Sequence, residues 1–282
     1  MIPVEFDYVK VTTIDQAIAA LKAGGEDSKI ISGGQSLVPV LRLRMAEPSV
    51  LVDCGAIDEM LGVREDGGSI TIGAATTHHA VMSNPLVQKH ALLLAQATAT
   101  VADPAIRHRG TTGGALAHAD PAGDVPAAAL ALNASFNIAG PGGRRTVAAK
   151  DFFLDYFTTA VGPDEILVSF SIPKCDWGSH YAKFNRTAQA WAIVGVAAVV
   201  NVEGGVIKEA RIGLTNMAPT AVRASTVEAA LVGASSAADI TAAAMHAADG
   251  TRATSDLHAK ADYREHLARV ITARAVRAAS GI

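Results

Sequence analysis

Lys29-Ile30-Ile31-Ser32-Gly33-Gly34-Gln35-Ser36-Leu37 is a short apolar run that breaks into paired glycines with hydroxyl-bearing neighbours. It reads as a buried strand delivering its chain into a glycine turn. A second stretch of the same kind follows far downstream, Gly110-Thr111-Thr112-Gly113-Gly114-Ala115-Leu116. Adjacent glycines take positive φ and carry no Cβ, so consecutive amides can point into one concavity and hold an anion. Ser36, Thr111 and Thr112 add hydroxyl donors, which suit phosphate oxygens better than a metal or a carbonyl. Either turn alone is weak evidence, because Gly-Gly pairs mostly just make turns. Together they fit one pyrophosphate. Neither is the Gly-x-Gly-x-x-Gly fingerprint and no segment ends in Gly-Lys-Ser/Thr, which disfavours a nicotinamide-binding Rossmann domain and a nucleotide hydrolase.

The pattern around these turns is mixed. Thr13 with Gln16 has the form of a capping box, and Ile14, Ala17, Ile18 and Leu21 fall on one helical face, predicting a helix over 14–23 that stops at Gly24-Gly25. Val50-Leu51-Val52-Asp53 and Ser69-Ile70-Thr71-Ile72-Gly73 read as strands. Asn84-Pro85 opens a helix running to Leu94, and a buried helix is expected over 127–132. Residues 136–138 and 145–147 form two strands around the turn Gly140-Pro141-Gly142-Gly143, and β character continues over 165–172. Beyond a polar stretch at 173–179, residues 194–202 and 206–217 flank Glu203-Gly204-Gly205 as a hairpin, and 221–279 is almost wholly helical in composition.

With 50% hydrophobic and 18% charged residues the chain has ample apolar surface to bury, so disorder is excluded. A net charge of -3 and the lack of any long basic run exclude nucleic acid as a partner. Cys54 and Cys175 have no companion at ligand spacing, so the chain is expected to hold no metal or iron–sulfur site of its own. The start of the chain does not read as a secretory signal, and no segment has the roughly 20 apolar residues of a membrane span. A cytoplasmic location is the default.

Ser32-Gly33-Gly34-Gln35-Ser36-Leu37, with Thr111-Thr112-Gly113-Gly114-Ala115-Leu116 and the following Ala117-His118-Ala119-Asp120-Pro121-Ala122-Gly123-Asp124, resembles the FAD-pyrophosphate motifs of the medium subunits of aerobic carbon monoxide dehydrogenases. These belong to the xanthine-dehydrogenase-like molybdenum hydroxylases, and the resemblance covers essentially the whole chain. It implies an α+β fold: a two-lobed FAD-binding domain of the vanillyl-alcohol-oxidase/xanthine-dehydrogenase type over 1–56 and 57–176, then a small antiparallel sheet with a helical bundle over 177–282. It also implies non-covalent FAD cradled by residues 33–36 and 111–115, with Asp124 on its polar groups, Leu167 on its apolar ring and Lys183 near the flavin. Trp191 stands where the family usually places a tyrosine on a flavin face, which leaves the electron acceptor open.

The same resemblance implies an electron-transfer subunit with no catalytic acid–base residues of its own. A large subunit would hold the molybdenum cofactor and a small one the [2Fe–2S] clusters, in a dimer of heterotrimers. Electrons would pass through FAD to a quinone or other acceptor. The complex would be cytoplasmic, with peripheral association at the inner face of the membrane. Carbon monoxide is the first choice of substrate, and an aldehyde, purine or N-heterocycle dehydrogenase is the runner-up. A stand-alone flavin oxidoreductase and a non-catalytic nucleotide-binding scaffold are readings of other classes.

Plainer roles stand beside several of these. Asp124 could cap the helix that follows it, Lys183 could be an ordinary surface lysine, and Trp191 an ordinary core residue. His118 and Asp120 lack a third ligand, and His78-His79 read as polar strand-to-helix residues because Gln35 occupies the place of a linking histidine.

Overall fold

The apolar run before the first glycine turn does form a strand, and its partners explain why it is short. In a computed structural model describing residues 2–282, β1 (Asp7–Lys10), β2 (Ser28–Ile31) and β3 (Val50–Asp53) make a three-stranded parallel sheet in the order β1-β3-β2. The helix Ile14–Gly24 crosses over between the first two, with Thr13 Oγ1 accepting from the amide of Gln16. The Gln16 side chain reaches back one residue further than a capping box requires, to the amide of Thr12 (3.0 Å). Ile14, Ala17 and Leu21 are the buried face of this helix, as their spacing predicts.

The next strands are β4 (Val63–Asp66), β5 (Ser69–Gly73), β6 (Ser135–Gly140), β7 (Gly143–Ala148), the short pair β8 (Phe153–Asp155) and β9 (Thr158–Thr159), and β10 (Ile166–Pro173). Five of them form an antiparallel sheet in the order β4-β5-β10-β6-β7. Its core stacks Phe136 on Phe152, with ring centroids 3.9 Å apart, and sets Phe153 edge-on to both. A third sheet is a meander of β11 (Gly178–Phe184), β12 (Val194–Glu203), β13 (Val206–Thr215) and β14 (Val222–Arg223). Gly204 and Gly205 both take positive φ at its tightest turn, as a two-residue hairpin loop requires.

β12 is buried on both faces because the C-terminal helix Ala261–Ser280 covers one and the helix Asp124–Ala131 the other. The approach on the second side is so close that a Cβ on Gly213 would collide with the Ala127 carbonyl. This contact ties the meander to the helix that begins at Asp124.

Two expectations need correcting. The single helix foreseen from Asn84 to Leu94 is two, Pro85–His90 and Leu92–Ala99, broken at Ala91 (φ -147°). The His90 carbonyl is captured by the amide of Cys175 (2.9 Å), so a tertiary bond replaces a helical one. Nor is 221–279 continuous helix. After Ser225–Leu231 and Ala237–Ala244 the chain runs without regular structure from Asp249 to Lys260, where Asp256 accepts from the amides of His258 and Ala259.

Candidate functional site: a crevice between two glycine loops

Both glycine turns leave strands or bridges that end at one crevice. The first exits β2 and leads into the short helix Leu37–Arg42, and Gly34 holds the turn at φ +73°. The second follows the helix Pro104–Arg107 and opens the helix Thr112–His118, with Thr111 Oγ1 accepting from the amide of Gly114. The two meet backbone to backbone. A Cβ on Gly33 would overlap the Arg109 carbonyl and lie 2.7 Å from Gly110 Cα and 2.8 Å from Thr111 N, and Gln35 Cγ stands 3.3 Å from where a Gly110 Cβ would be.

The loops contribute different things. Among the described residues the amides of Gly33, Gly34, Gln35 and Ser36 donate to no other group, and the buried Ser32 hydroxyl has no partner. Orphaned donors of this kind inside a fold call for a ligand. In the second loop, Thr112 donates to Thr76 O and Gly113 to Ala74 O, both 3.0 Å, so this loop is bolted to the end of β5. Gly113 is needed for that approach, since its Cβ would fall on Ala74. Thr112 is wholly buried, and its hydroxyl is engaged with His78 Nδ1 (3.3 Å).

The crevice holds about 820 Å³ and is lined by every candidate cofactor-binding residue except Thr112, namely residues 32–37, Thr111, 113–115, Asp124, Leu167, Lys183 and Trp191. Its volume suits a large organic ligand. Leu167 is 5% exposed, on β10 beside a bulge in the pairing with β6. Gln35 folds its amide back on the Gly33 carbonyl (3.2 Å). Phe157, at positive φ on the tip of the β8–β9 hairpin, also reaches the rim, its ring 5.1 Å from that of His118. Sequence reading missed it, because nothing in its neighbours announces an aromatic in that strained conformation.

Lys183 is not a surface lysine. Its side chain is 6% exposed and its ammonium donates to Asp124 Oδ2 (2.8 Å) and Thr100 O (3.1 Å), leaving one of three donors uncommitted. Asp124 is 3% exposed, and its other oxygen accepts from the Tyr181 hydroxyl (2.6 Å). It is the first residue of its helix, which Gly123 caps without any side-chain bond, so Asp124 is no N-cap. Burial raises its pKa, opposed by Lys183 and by the hydrogen bonds it accepts, and burial together with Asp124 raises that of Tyr181. The alternation of β11 places Tyr181 and Lys183 on one face, which was the one signal that could have exposed Tyr181 beforehand. Trp191 is 56% exposed and so is not a core residue.

His78 is buried beside the second loop at the crevice wall, where desolvation, helped by the Arg107 charge, pushes its pKa down to about 4. Between pH 6.5 and 4 the unfolded chain therefore takes up a proton that the folded one refuses, and stability falls by about 3 kcal/mol as the pH drops through that window. His78→Asn should flatten this slope in urea titrations at pH 7 and pH 4.5, and identical slopes would show the assignment to be mistaken. His79 stacks on His108 at the surface. Among the described residues no group of three His, Cys, Asp or Glu side chains could hold a metal, and Cys54 is buried with its pKa pushed up to about 12.

Residues 4–175 match the family described as the FAD binding domain in molybdopterin dehydrogenase, and residues 179–279 match the CO dehydrogenase flavoprotein C-terminal domain. The chain belongs to this family of FAD-binding subunits. Within it the chain is 39% identical to the carbon monoxide dehydrogenase medium chain of Hydrogenophaga pseudoflava, over 99% of its own length and 98% of that protein. It is 36% identical to the 6-hydroxypseudooxynicotine dehydrogenase complex subunit alpha of Paenarthrobacter nicotinovorans, covering 97% and 94%. A solved structure of the Hydrogenophaga pseudoflava carbon monoxide dehydrogenase lacking the Mo-pyranopterin moiety superposes with a TM-score of 0.97 at 40% identity, over 100% of this chain and 99% of that one. The cofactor of this flavoprotein subunit is thus FAD, and the α+β architecture is that of its relatives.

Proposed function

We propose that this FAD-binding medium subunit carries electrons from the [2Fe–2S] clusters of a small partner subunit to a quinone or other acceptor, after a substrate is oxidised at molybdenum on a large partner. The observation that carries the reading is the crevice itself. Four uncommitted amides at residues 33–36, the orphaned Ser32 hydroxyl and the spare donor of Lys183 face one space, with a bulky apolar wall at Leu167 and an exposed indole at Trp191. Residues 33–36 would hold the pyrophosphate, and the second loop braces them. Leu167 and Trp191 would flank the ring, and Gln35, Thr111 and residues 113–115 complete the walls.

Asp124 acts through Lys183, which it holds in place, and the remaining N–H of Lys183 would be the cationic donor available to the flavin. Bound there, FAD supplies redox chemistry that accepts electrons singly and delivers them in pairs. The chain divides functionally into residues 1–56 and 57–176 around the cofactor and 177–282 as a support. A heterotrimer that pairs with a second copy is the assembly we favour. Carbon monoxide is the substrate we favour for the complex, and an N-heterocycle or aldehyde is the alternative, since the relatives named above act on chemically different donors at similar identity.

The test is expression of the chain alone and together with candidate large and small subunits. The chain alone should be yellow and release FAD on acid precipitation, and the full complex should be bleached by carbon monoxide under exclusion of oxygen. A colourless chain sinks the flavin reading. Bleaching by a heterocycle and not by carbon monoxide would overturn the substrate choice only.

A further inference from the structure

Trp191 presents a half-exposed indole to the crevice, and no core packing holds a ring that open. Its orientation has to come from its backbone. The two carbonyls that follow it are both captured by side chains from distant parts of the fold: Ala192 O accepts from Asn216 Nδ2 (2.8 Å) and Ile193 O from Arg264 Nη1 (2.5 Å). Upstream, residues 185–190 are held by bonds within the segment, from Asn185 Nδ2 and the Ala190 amide to Thr187 O.

Asn216 stands immediately after β13 in the left-handed region, at φ 61°. Its amide donates to Pro121 O (2.7 Å), and the neighbouring Thr215 hydroxyl donates to Gly123 O (3.1 Å), both in the loop between the second glycine motif and Asp124. One residue thus joins the loop leading to Asp124 to the carbonyl of Ala192, the residue after Trp191. Arg264 backs it from the C-terminal helix. It is wholly buried, and its second nitrogen is fixed on Asp256 Oδ2 (2.6 Å). A buried guanidinium contributes little net stability, and its rigid fork is best used to fix a geometry.

We infer that Asn216, backed by Arg264, is the positioning residue that sets the Trp191 indole against the flavin and so couples the C-terminal meander and helix to the cofactor crevice. The inference rests on the reading of Trp191 as a flavin-facing residue. An indole in contact with an isoalloxazine quenches its emission by electron donation to the excited ring, so the flavin lifetime reports the contact directly.

The full-length chain loaded with FAD is compared in a Trp177→Phe background, which leaves Trp191 as the one tryptophan. Trp191→Phe should lengthen the flavin lifetime severalfold. Asn216→Gly should retain FAD and lengthen it in the same direction, because glycine accepts φ 61° without strain and removes only the side-chain donor. Asn216→Asp, which sets a carboxylate against the Ala192 carbonyl, should do so too. A wild-type lifetime in Asn216→Gly beside a long one in Trp191→Phe would overturn the positioning role. An unchanged lifetime in Trp191→Phe with FAD bound would overturn the inference and leave the flavin reading standing. A wild-type chain holding no FAD would bring down the reading of the crevice and the inference with it.

Discussion

Gly33→Val is expected to yield a folded chain that no longer retains FAD. The position allows no Cβ at all: the atoms it would meet are the Arg109 carbonyl, Gly110 Cα and Thr111 N, all backbone, and none can rotate out of the way. The two loops must separate, and the amides of residues 33–36 then lose their common focus. Overpacking against rigid neighbours costs about 3 kcal/mol, which alone weakens binding about a hundredfold. Gly142→Val is the matched control, since nothing lies within 4 Å of its Cβ position on the β6–β7 turn. FAD content per chain after gel filtration, with circular dichroism to confirm folding, decides the matter. Equal retention in the two variants would refute the convergence of the loops as the basis of binding.

Lys183→Met should be strongly destabilising. It leaves the Asp124 carboxylate, 3% exposed, without the ammonium 2.8 Å away, and breaking a buried pair from one side costs about 3–5 kcal/mol. Asp124 answers by holding its proton. Burial already raises its pKa, and without Lys183 the folded chain binds a proton there that the unfolded chain has released. The folded state then carries more protons than the unfolded one, so stability declines as pH rises above the ordinary carboxylate range, and the deficit against the parent shrinks on acidification. Lys183→Met with Asp124→Asn removes both charges and should recover most of the loss. Urea midpoints of the FAD-free chains at pH 5 and pH 8 measure this, and a single variant as stable as the double one would show that the pair carries no such weight.

How far these residues were legible beforehand differs with the kind of information each needs. The glycine turns, the helix Ile14–Gly24 and the β12–β13 hairpin rest on local chemistry, positive φ and periodicity, which a linear sequence displays directly. The break at Ala91 does not, because the Cys175 amide that takes the His90 carbonyl comes from just past a strand end far downstream in the chain. The strand Asp7–Lys10 was equally silent, having a polar sequence that pairs only because Val50–Asp53 lies beside it. Thr112 was read as a ligand donor and is a buried partner of His78, since the motif shows which residues sit in the loop and not which way each side chain turns.

The sequence by itself determined that two hydroxyl-flanked glycine loops exist, that they suit a diphosphate, and to which family of flavin subunits they belong. Those are properties of short segments and of their order. Only the tertiary structure decided that Arg109 and Gly110 close on Gly33, that Lys183 and Tyr181 both meet a buried Asp124, and that Asn216 reaches the Ala192 carbonyl beside Trp191. Each joins residues far apart in the chain. Their meeting depends on sheet order and on the helix Asp124–Ala131 packing beneath β13, and that packing is a cooperative outcome of the whole core which no single segment encodes.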